Sequence, residues 1–376
     1  MKKVKLGLIG CGHAVRMLYG AHFRNLEKGE FYAVMDINES RARRAQQWFG
    51  AKKIYGDLDS ILKDEEIDAV IIATPPFVHK DQVIKAARAG KHIFCEKPMT
   101  ATIEEADEMI ASCKKNKVKF MIAFMKRFNK AFCLTKKIID EGRLGDVFEI
   151  RATWDNARAK GSSDYRHRLI AGGGFLQEDG SHALDLCRWW LGDVEQVSGN
   201  ILLVASDLFE TEDVANLILK HKGGGLSTLH ITRLTHRRGV ELYEIFGTKG
   251  TLVVDCIRHS TPSLEPPTMY IYQKSKTRID VTPYNSFFLD EELKKNQFLR
   301  ELEYFCDCIL KDKEPIPGGE DGRAIVEIVN ATYLSSWKGI KVKLPLQKSP
   351  DLEKIFEELR ASSKWRIGKD TWWGGY

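Results

Sequence analysis

The chain has 376 residues, 43% of them hydrophobic and 29% charged, the balance of a globular protein too long for one ordinary core. Its 58 basic and 52 acidic residues leave a dispersed net charge of +6, which argues against nucleic acid as a partner. No apolar run approaches the ~20 residues of a membrane span, and the run after Lys2-Lys3 is cut by Gly7, Gly10 and Gly12, unlike an export signal. Eight scattered cysteines form no C-x-x-C pair, so reduced thiols, a cytoplasmic setting and no metal site are expected.

A β-rich run over residues 3–9 ends in Gly10-Cys11-Gly12-His13-Ala14-Val15. Two glycines at this spacing permit a tight turn and close passage of a pyrophosphate, and the helix after it offers free backbone N–H groups. Val15 stands where the fingerprint usually has glycine or alanine. A second strand, residues 31–35, ends at Asp36, where a carboxylate binds the adenosine ribose hydroxyls and repels a 2′-phosphate. NAD is therefore expected in preference to NADP. Arg41, Arg43 and Arg44 follow, as a solvated helix face or as phosphate ligands. Residues 57–62 read as a short helix.

Residues 68–73 form a continuous apolar run, the mark of a parallel strand buried on both faces, and stop at Thr74-Pro75-Pro76. A helix over 80–89 closes at Gly90; a strand over 92–95 leads into Glu96-Lys97-Pro98. This alternation predicts a doubly wound parallel sheet, with ligands at the carboxyl ends of its strands. A lysine placed there and partly desolvated suits proton transfer, although a surface ion pair is the ordinary reading of such a residue.

From residue 146 the pattern changes to longer alternating runs over 147–154, 197–204, 213–221, 226–235 and 241–246. They predict a large, mostly antiparallel sheet with one face needing cover. Inserted is Ala171-Gly172-Gly173-Gly174-Phe175-Leu176-Gln177-Glu178-Asp179-Gly180-Ser181-His182-Ala183-Leu184-Asp185. On a helix Glu178 and His182 share a face, and Gly174 and Gly180 keep backbone bulk low for a ligand. A capped helix start with a solvated histidine is the plainer alternative. Trp154, Asn156, Arg158, Tyr165, Arg166 and Arg168 supply stacking faces and forked donors suited to a polyol, or belong to solvated loops. Arg233 and His236 are weaker candidates. Leu299, Leu302, Phe305 and Ile309 make one helical stripe, read as core.

Taken in order, Gly7-Leu8-Ile9-Gly10-Cys11-Gly12, Ala73-Thr74-Pro75-Pro76, Ala89-Gly90-Lys91-His92, Cys95-Glu96-Lys97-Pro98, Lys126-Arg127-Phe128-Asn129, the 171–185 stretch, Phe246-Gly247-Thr248-Lys249-Gly250-Thr251-Leu252 and Gly319-Glu320-Asp321-Gly322-Arg323 resemble the Gfo/Idh/MocA oxidoreductase family, up to about residue 346. The resemblance implies an α/β chain: a Rossmann domain over 1–125, a substrate-binding and oligomerisation domain with an open-faced sheet over 126–346, and an extension over 347–376. It implies NAD contacts from Gly10, Gly12, His13, Ala14, Val15, Asp36, Ile37, Arg41, the 73–76 loop, His79, Glu96 and Arg127. It assigns Lys97 a catalytic role and sets Glu178, His182 and Asp185 toward substrate; Glu178 departs from the usual Asp, with Asp179 beside it. It implies a homodimer or homotetramer.

The expected activity is NAD-dependent oxidation of a secondary hydroxyl on a sugar, sugar derivative or cyclitol. A redox-assisted glycosidase or epimerase with tightly bound NAD, a reductase of other carbonyl or imine compounds, and a non-catalytic NAD or sugar sensor are the alternatives. The aromatic tail with Trp365, Trp372, Trp373 and Tyr376 is expected to pack across a subunit or domain interface.

Overall fold

Apolar, β-branched runs build the first sheet. Val4–Ile9 (β1), Gly29–Met35 (β2), Lys53–Tyr55 (β3), Ala69–Ile72 (β4), His92–Cys95 (β5) and Phe120–Ile122 (β6) pair in parallel in the order β3-β2-β1-β4-β5-β6. The computed structural model describes residues 2–13, 15–16, 24, 26–156, 165, 168–235, 239–257, 268–273, 278–282 and 297–364. Every residue of β4 is buried, as its unbroken hydrophobicity requires. The strand order reverses between β1 and β4, so the loops after these two strands flank the crevice where such sheets bind nucleotides.

The helices of this sheet start at side-chain caps. Asn38, Asp57 and Thr102 accept from the backbone N–H three residues on, opening Glu39–Phe49 (α1), Leu58–Leu62 (α2) and Ile103–Lys115 (α4). His79–Arg88 (α3) follows the Thr74-Pro75-Pro76 loop.

The chain divides into two compact units: Met1–Phe128 with Lys295–Val326, and Asn129–Lys294 with Glu327–Tyr376. This contact-based division differs from the continuous ranges 1–125, 126–346 and 347–376 expected from the resemblance. The helix Gln297–Leu310 belongs to the first unit, because its apolar stripe completes that unit's core. Leu302, Phe305 and Cys306 are fully buried, and the Phe305 ring lies 5.6 Å from that of Phe94. Glu303 accepts from the backbone N–H groups of Glu27 and Lys28, at 2.5 and 3.0 Å. Each fully buried large apolar side chain contributes about 1.5–3 kcal/mol, so Leu302 and Phe305 repay the long excursion of the chain.

In the second unit Val147–Asp155 (β7), Val194–Leu202 (β8), Val214–His221 (β9), Leu226–Thr232 (β10), Val240–Gly247 (β11), Gly250–Ile257 (β12), Thr268–Gln273 (β13), Arg278–Asp280 (β14) and Val342–Lys343 (β15) form one sheet. Its order is β14-β13-β12-β11-β7-β10-β9-β8-β15, antiparallel except for the β7–β10 pair. Alternate residues are buried, and Lys130–Asp140 (α5) and Ser181–Leu191 (α6) cover that face. There the rings of Phe132, Trp190 and Tyr243 meet at 5.3–5.8 Å. The opposite face leaves Leu202, Ile218, Leu226 and Tyr272 exposed.

Beyond residue 346, the helix Leu352–Ser362 buries Ile355 and Phe356 within this same unit. Residues 365–376, including Trp365, Trp372, Trp373 and Tyr376, lie outside the described residues. Among the described residues no helix is long and apolar enough to cross a membrane.

Candidate active site

In the first unit the turn after β1 is shaped by two different steric demands. Gly10 has φ +89°, and a Cβ there would lie 2.8 Å from both the Ala73 carbonyl and Thr74 Cγ2. At Gly12 a Cβ would meet no atom within 4 Å among the described residues. Asp36, buried at the end of β2, holds this turn: Oδ2 accepts from Cys11 N and Oδ1 from Asn38 N, each at 2.8 Å. Beside it Ile37 is 89% exposed, an apolar side chain held in water. His13 and Arg41 are exposed, whereas Val15 is fully buried in the core, at the fingerprint position that serves helix–sheet packing. An open glycine turn, a carboxylate-tipped second strand and an exposed apolar neighbour fit a dinucleotide. Ala14 lies outside the described residues.

The loops after β4 and β5 are tied together. Thr74 donates to Gln82 at 2.6 Å, and Ala73, Thr74 and Pro75 are half-buried while Pro76 is buried. His79, expected at the cofactor, is instead fully buried. Its Nε2 lies 2.9 Å from the Thr74 carbonyl, and Nδ1 lies 3.1 and 3.2 Å from the carbonyls of Pro98 and Met99. Burial lowers its pKa below the ordinary value. No ring face is left for a ligand, so His79 joins the two loops. Glu96 is buried and Lys97 half-buried, with Lys97 N donating to Glu96 Oε2 at 3.3 Å; the Lys97–Pro98 peptide is cis. Arg127 is buried against Asp321 at 3.0 Å, and Asp321 also accepts from Gly318 N.

In the second unit Leu176–Gly180 is a π-helical turn running straight into α6. Such widened turns recur at functional sites because they re-aim side chains. The turn carries Glu178, half-buried, and Asp179, buried; His182, also buried, follows in the first turn of α6. The Trp154 ring lies parallel to that of His182, with centroids 6.0 Å apart. Trp154 is almost wholly buried, so it packs on His182 rather than offering a platform to a ligand. Asp185, expected to face substrate, is fully buried in α6, which places it in the interior. Asn156 is half-buried and donates through its backbone to Thr232; Tyr165 is half-buried. Arg158, Arg166 and His236 lie outside the described residues.

The space expected for a ligand at Gly174 and Gly180 is filled by the protein. A Cβ on Gly174 would collide with the Glu212 carbonyl and lie 2.6 Å from its Oε2; one on Gly180 would lie 2.7 Å from Ile231 Cδ1. Sequence reasoning missed Glu212, although the acid pair Glu212-Asp213 ahead of β9 was visible. Burial pushes Glu212 up to about 7 and Asp213 up to about 6, partly offset by their hydrogen bonds and by Arg233. Arg233, buried between the rings of Phe175 and Phe209, has Nη2 3.9 Å from Glu178 Oε2.

A Rossmann unit with a carboxylate at the tip of its second strand, joined to an open sheet that carries an acid–histidine turn, defines an NAD(P)-dependent oxidoreductase. Comparison with known proteins agrees. Residues 4–124 match the oxidoreductase family with an NAD-binding Rossmann fold, and residues 132–253 match the GFO/IDH/MocA C-terminal domain. The chain belongs to the Gfo/Idh/MocA oxidoreductase family. It is 27% identical over 350 residues to the myo-inositol 2-dehydrogenase of Thermotoga maritima, covering 91% of this chain and 98% of that protein. The crystal structure of aldose–aldose oxidoreductase from Caulobacter crescentus, complexed with glycerol, aligns with a TM-score of 0.81 at 26% identity, covering 91% of this chain and 100% of that one. Levoglucosan dehydrogenase in complex with NADH and levoglucosan aligns at 0.80 and 25% identity, covering 92% and 100%.

Proposed function

We propose that this oxidoreductase is an NAD-dependent dehydrogenase of a secondary hydroxyl on a sugar, sugar derivative or cyclitol. The observation that carries the reading is the π-helical turn with Glu178 and Asp179, followed by His182 in the first turn of α6, in a chain whose other unit is an NAD-binding Rossmann fold. The named relatives act on inositol and levoglucosan, which are polyhydroxylated rings.

The Gly10–Gly12 turn, Asp36, Ile37 and the 73–76 loop would hold NAD, which when bound supplies the two-electron acceptor for the carbinol C–H. Asp36 disfavours a 2′-phosphate by charge. Lys97 of the first unit and His182 of the second are each proposed to take part in moving the hydroxyl proton. Trp154 fixes the plane of the His182 ring. Glu178 and Asp179 accept from neighbouring hydroxyls, and Arg233 holds Glu178 from behind. The exposed outer face of the second sheet pairs with a second copy of the chain, burying Leu202, Ile218, Leu226 and Tyr272. All eight cysteines lie outside disulfides, which suits a cytoplasmic enzyme.

The test has two stages. The purified protein is denatured and any released nicotinamide identified; it is then assayed with NAD⁺ against cyclitols, aldoses and sugar acids by NADH formation. Turnover that needs added NAD⁺ and disappears in Lys97→Ala supports the reading. Near one bound nicotinamide per chain, with turnover of glycosides without added cofactor, would replace it with in-place redox recycling. In Asp36→Ala the preference for NAD⁺ over NADP⁺ is expected to fall at least about tenfold, since a tenfold change needs only about 1.4 kcal/mol.

A further inference from the structure

The loop between β8 and β9 has no task in the mechanism, yet its acids grip the segment that leads into the Glu178–His182 turn. Glu212, fully buried, accepts from three successive backbone N–H groups: Gly174 to Oε2 at 2.8 Å, Phe175 to its main-chain carbonyl at 3.2 Å, and Leu176 to Oε1 at 2.8 Å. Glu210 Oε2 accepts from Leu169 N at 2.9 Å, at the other end of the glycine run. Asp213 closes the loop on itself by accepting from Val204 N and Ala205 N. One loop thus holds both ends of the glycine-rich approach to the site.

That loop is held in turn from behind. The Tyr333 hydroxyl donates to Glu212 Oε1 at 3.1 Å, and a Cβ on Gly173 would collide with it. The Tyr333 ring packs edge-on against Phe356, with centroids 5.1 Å apart. Phe356 lies on the helix Leu352–Ser362, in the C-terminal stretch after residue 346. From the same helix Arg360 Nη2 donates to the Glu210 carbonyl at 2.6 Å, and Oγ of its C-cap Ser363 donates to the Leu203 carbonyl at 2.9 Å. These contacts reach both ends of the gripping loop. Glycines have no preferred backbone conformation of their own, so the path of residues 172–174 depends on such outside contacts.

We propose that the helix Leu352–Ser362 is a brace for the catalytic turn, acting through Phe356 and Tyr333 on Glu212 and through Arg360 on Glu210. Glu212 and Tyr333 are then positioning residues for Glu178 and His182. The catalytic part of this inference rests on the dehydrogenase reading; the mechanical part does not.

Hydrogen–deuterium exchange on the full-length chain tests the mechanical part without substrate. In Tyr333→Phe and in Phe356→Ala, amides of the 170–182 peptide are expected to exchange about tenfold faster, the change produced by losing roughly one net hydrogen bond. Peptides from β4 to β5 and from β9 to β11 should keep their parent rates. Trp337→Phe is the control. It removes the 2.6 Å bond from Trp337 to Glu358 on the same helix but leaves the Phe356–Tyr333–Glu212 relay intact. Unchanged exchange at 170–182, or acceleration spread evenly over the second unit, would overturn the brace. With the sugar that gives turnover, kcat should fall about tenfold in Tyr333→Phe while the KM for NAD⁺ stays within twofold. An unchanged kcat would reject the positioning role. A panel with no turnover at all would sink the dehydrogenase reading and leave the exchange rates to decide the brace.

Discussion

Each unit enters its candidate site segment through a glycine turn, and the two turns use glycine for opposite ends. In the first, a Cβ at Gly12 would meet no atom within 4 Å among the described residues, and Gly10 is pressed against the strand-end loop at Ala73 and Thr74. In the second, the places of the missing side chains at Gly173 and Gly174 are taken by the Tyr333 hydroxyl and by Glu212. One turn leaves room for a ligand; the other lets the protein close on itself. A glycine run therefore reports that something comes near, and only the surroundings say what.

The comparison can be broken most sharply at the chemistry. If the first unit brings the cofactor and Lys97 while the second brings His182, then Lys97→Ala and His182→Ala should each lower turnover by about 10²–10⁴-fold, the usual worth of a positioned acid or base. Steady-state NADH formation with circular dichroism as a folding control measures both. A wild-type rate in either variant would confine the chemistry to the other unit.

The next effect is steric. Gly174→Ala should destabilise the second unit by about 1–3 kcal/mol, the cost of overpacking against a backbone carbonyl that cannot swing aside. Urea unfolding would show it. Gly12→Ala should instead leave unfolding within about 0.5 kcal/mol, and weaken NAD⁺ binding about tenfold, equivalent to roughly 1.4 kcal/mol, in a fluorescence titration. Equal unfolding midpoints for the two variants would erase the distinction between the turns.

The smallest effect is a trend with pH. Burial raises Glu212 from 4.5 to about 7 and Asp213 from 3.8 to about 6. Between the ordinary and raised values the folded chain binds more protons than the unfolded one. Their contribution is therefore full below about pH 4 and lost as pH rises through 6–7. His79 in the first unit has the opposite sign: its pKa is lowered, so its contribution is present above the ordinary 6.5 and lost as pH falls below it. His92 and His221 share that sign. The stability gap between the parent and Glu212→Gln should accordingly narrow from pH 5 to pH 8. A constant gap would remove the buried carboxylate as the cause.

Much of the first unit could be read from local pattern. The apolar run that became β4, the acid closing β2 and the prolines after β4 each follow from short-range sterics and hydropathy, and each took the place expected. The stripe Leu299, Leu302, Phe305 was legible as core, but not the unit whose core it joins. The same limit applies to the site. His79 and Asp185 stand in motifs beside residues expected to face a ligand, and only packing shows that their own side chains are fully buried.

By itself the sequence determined the periods, caps and turns, the carboxylate after the second strand and the acid–histidine spacing, because these depend on residues a few positions apart. The tertiary structure alone decided what the glycines face, that Trp154 lies on His182, and that Glu212 and Tyr333, 38 and 121 positions from their partners, meet at one buried carboxylate. Such meetings are settled by which long loops close and which surfaces then exclude water, and no short window of residues carries that information.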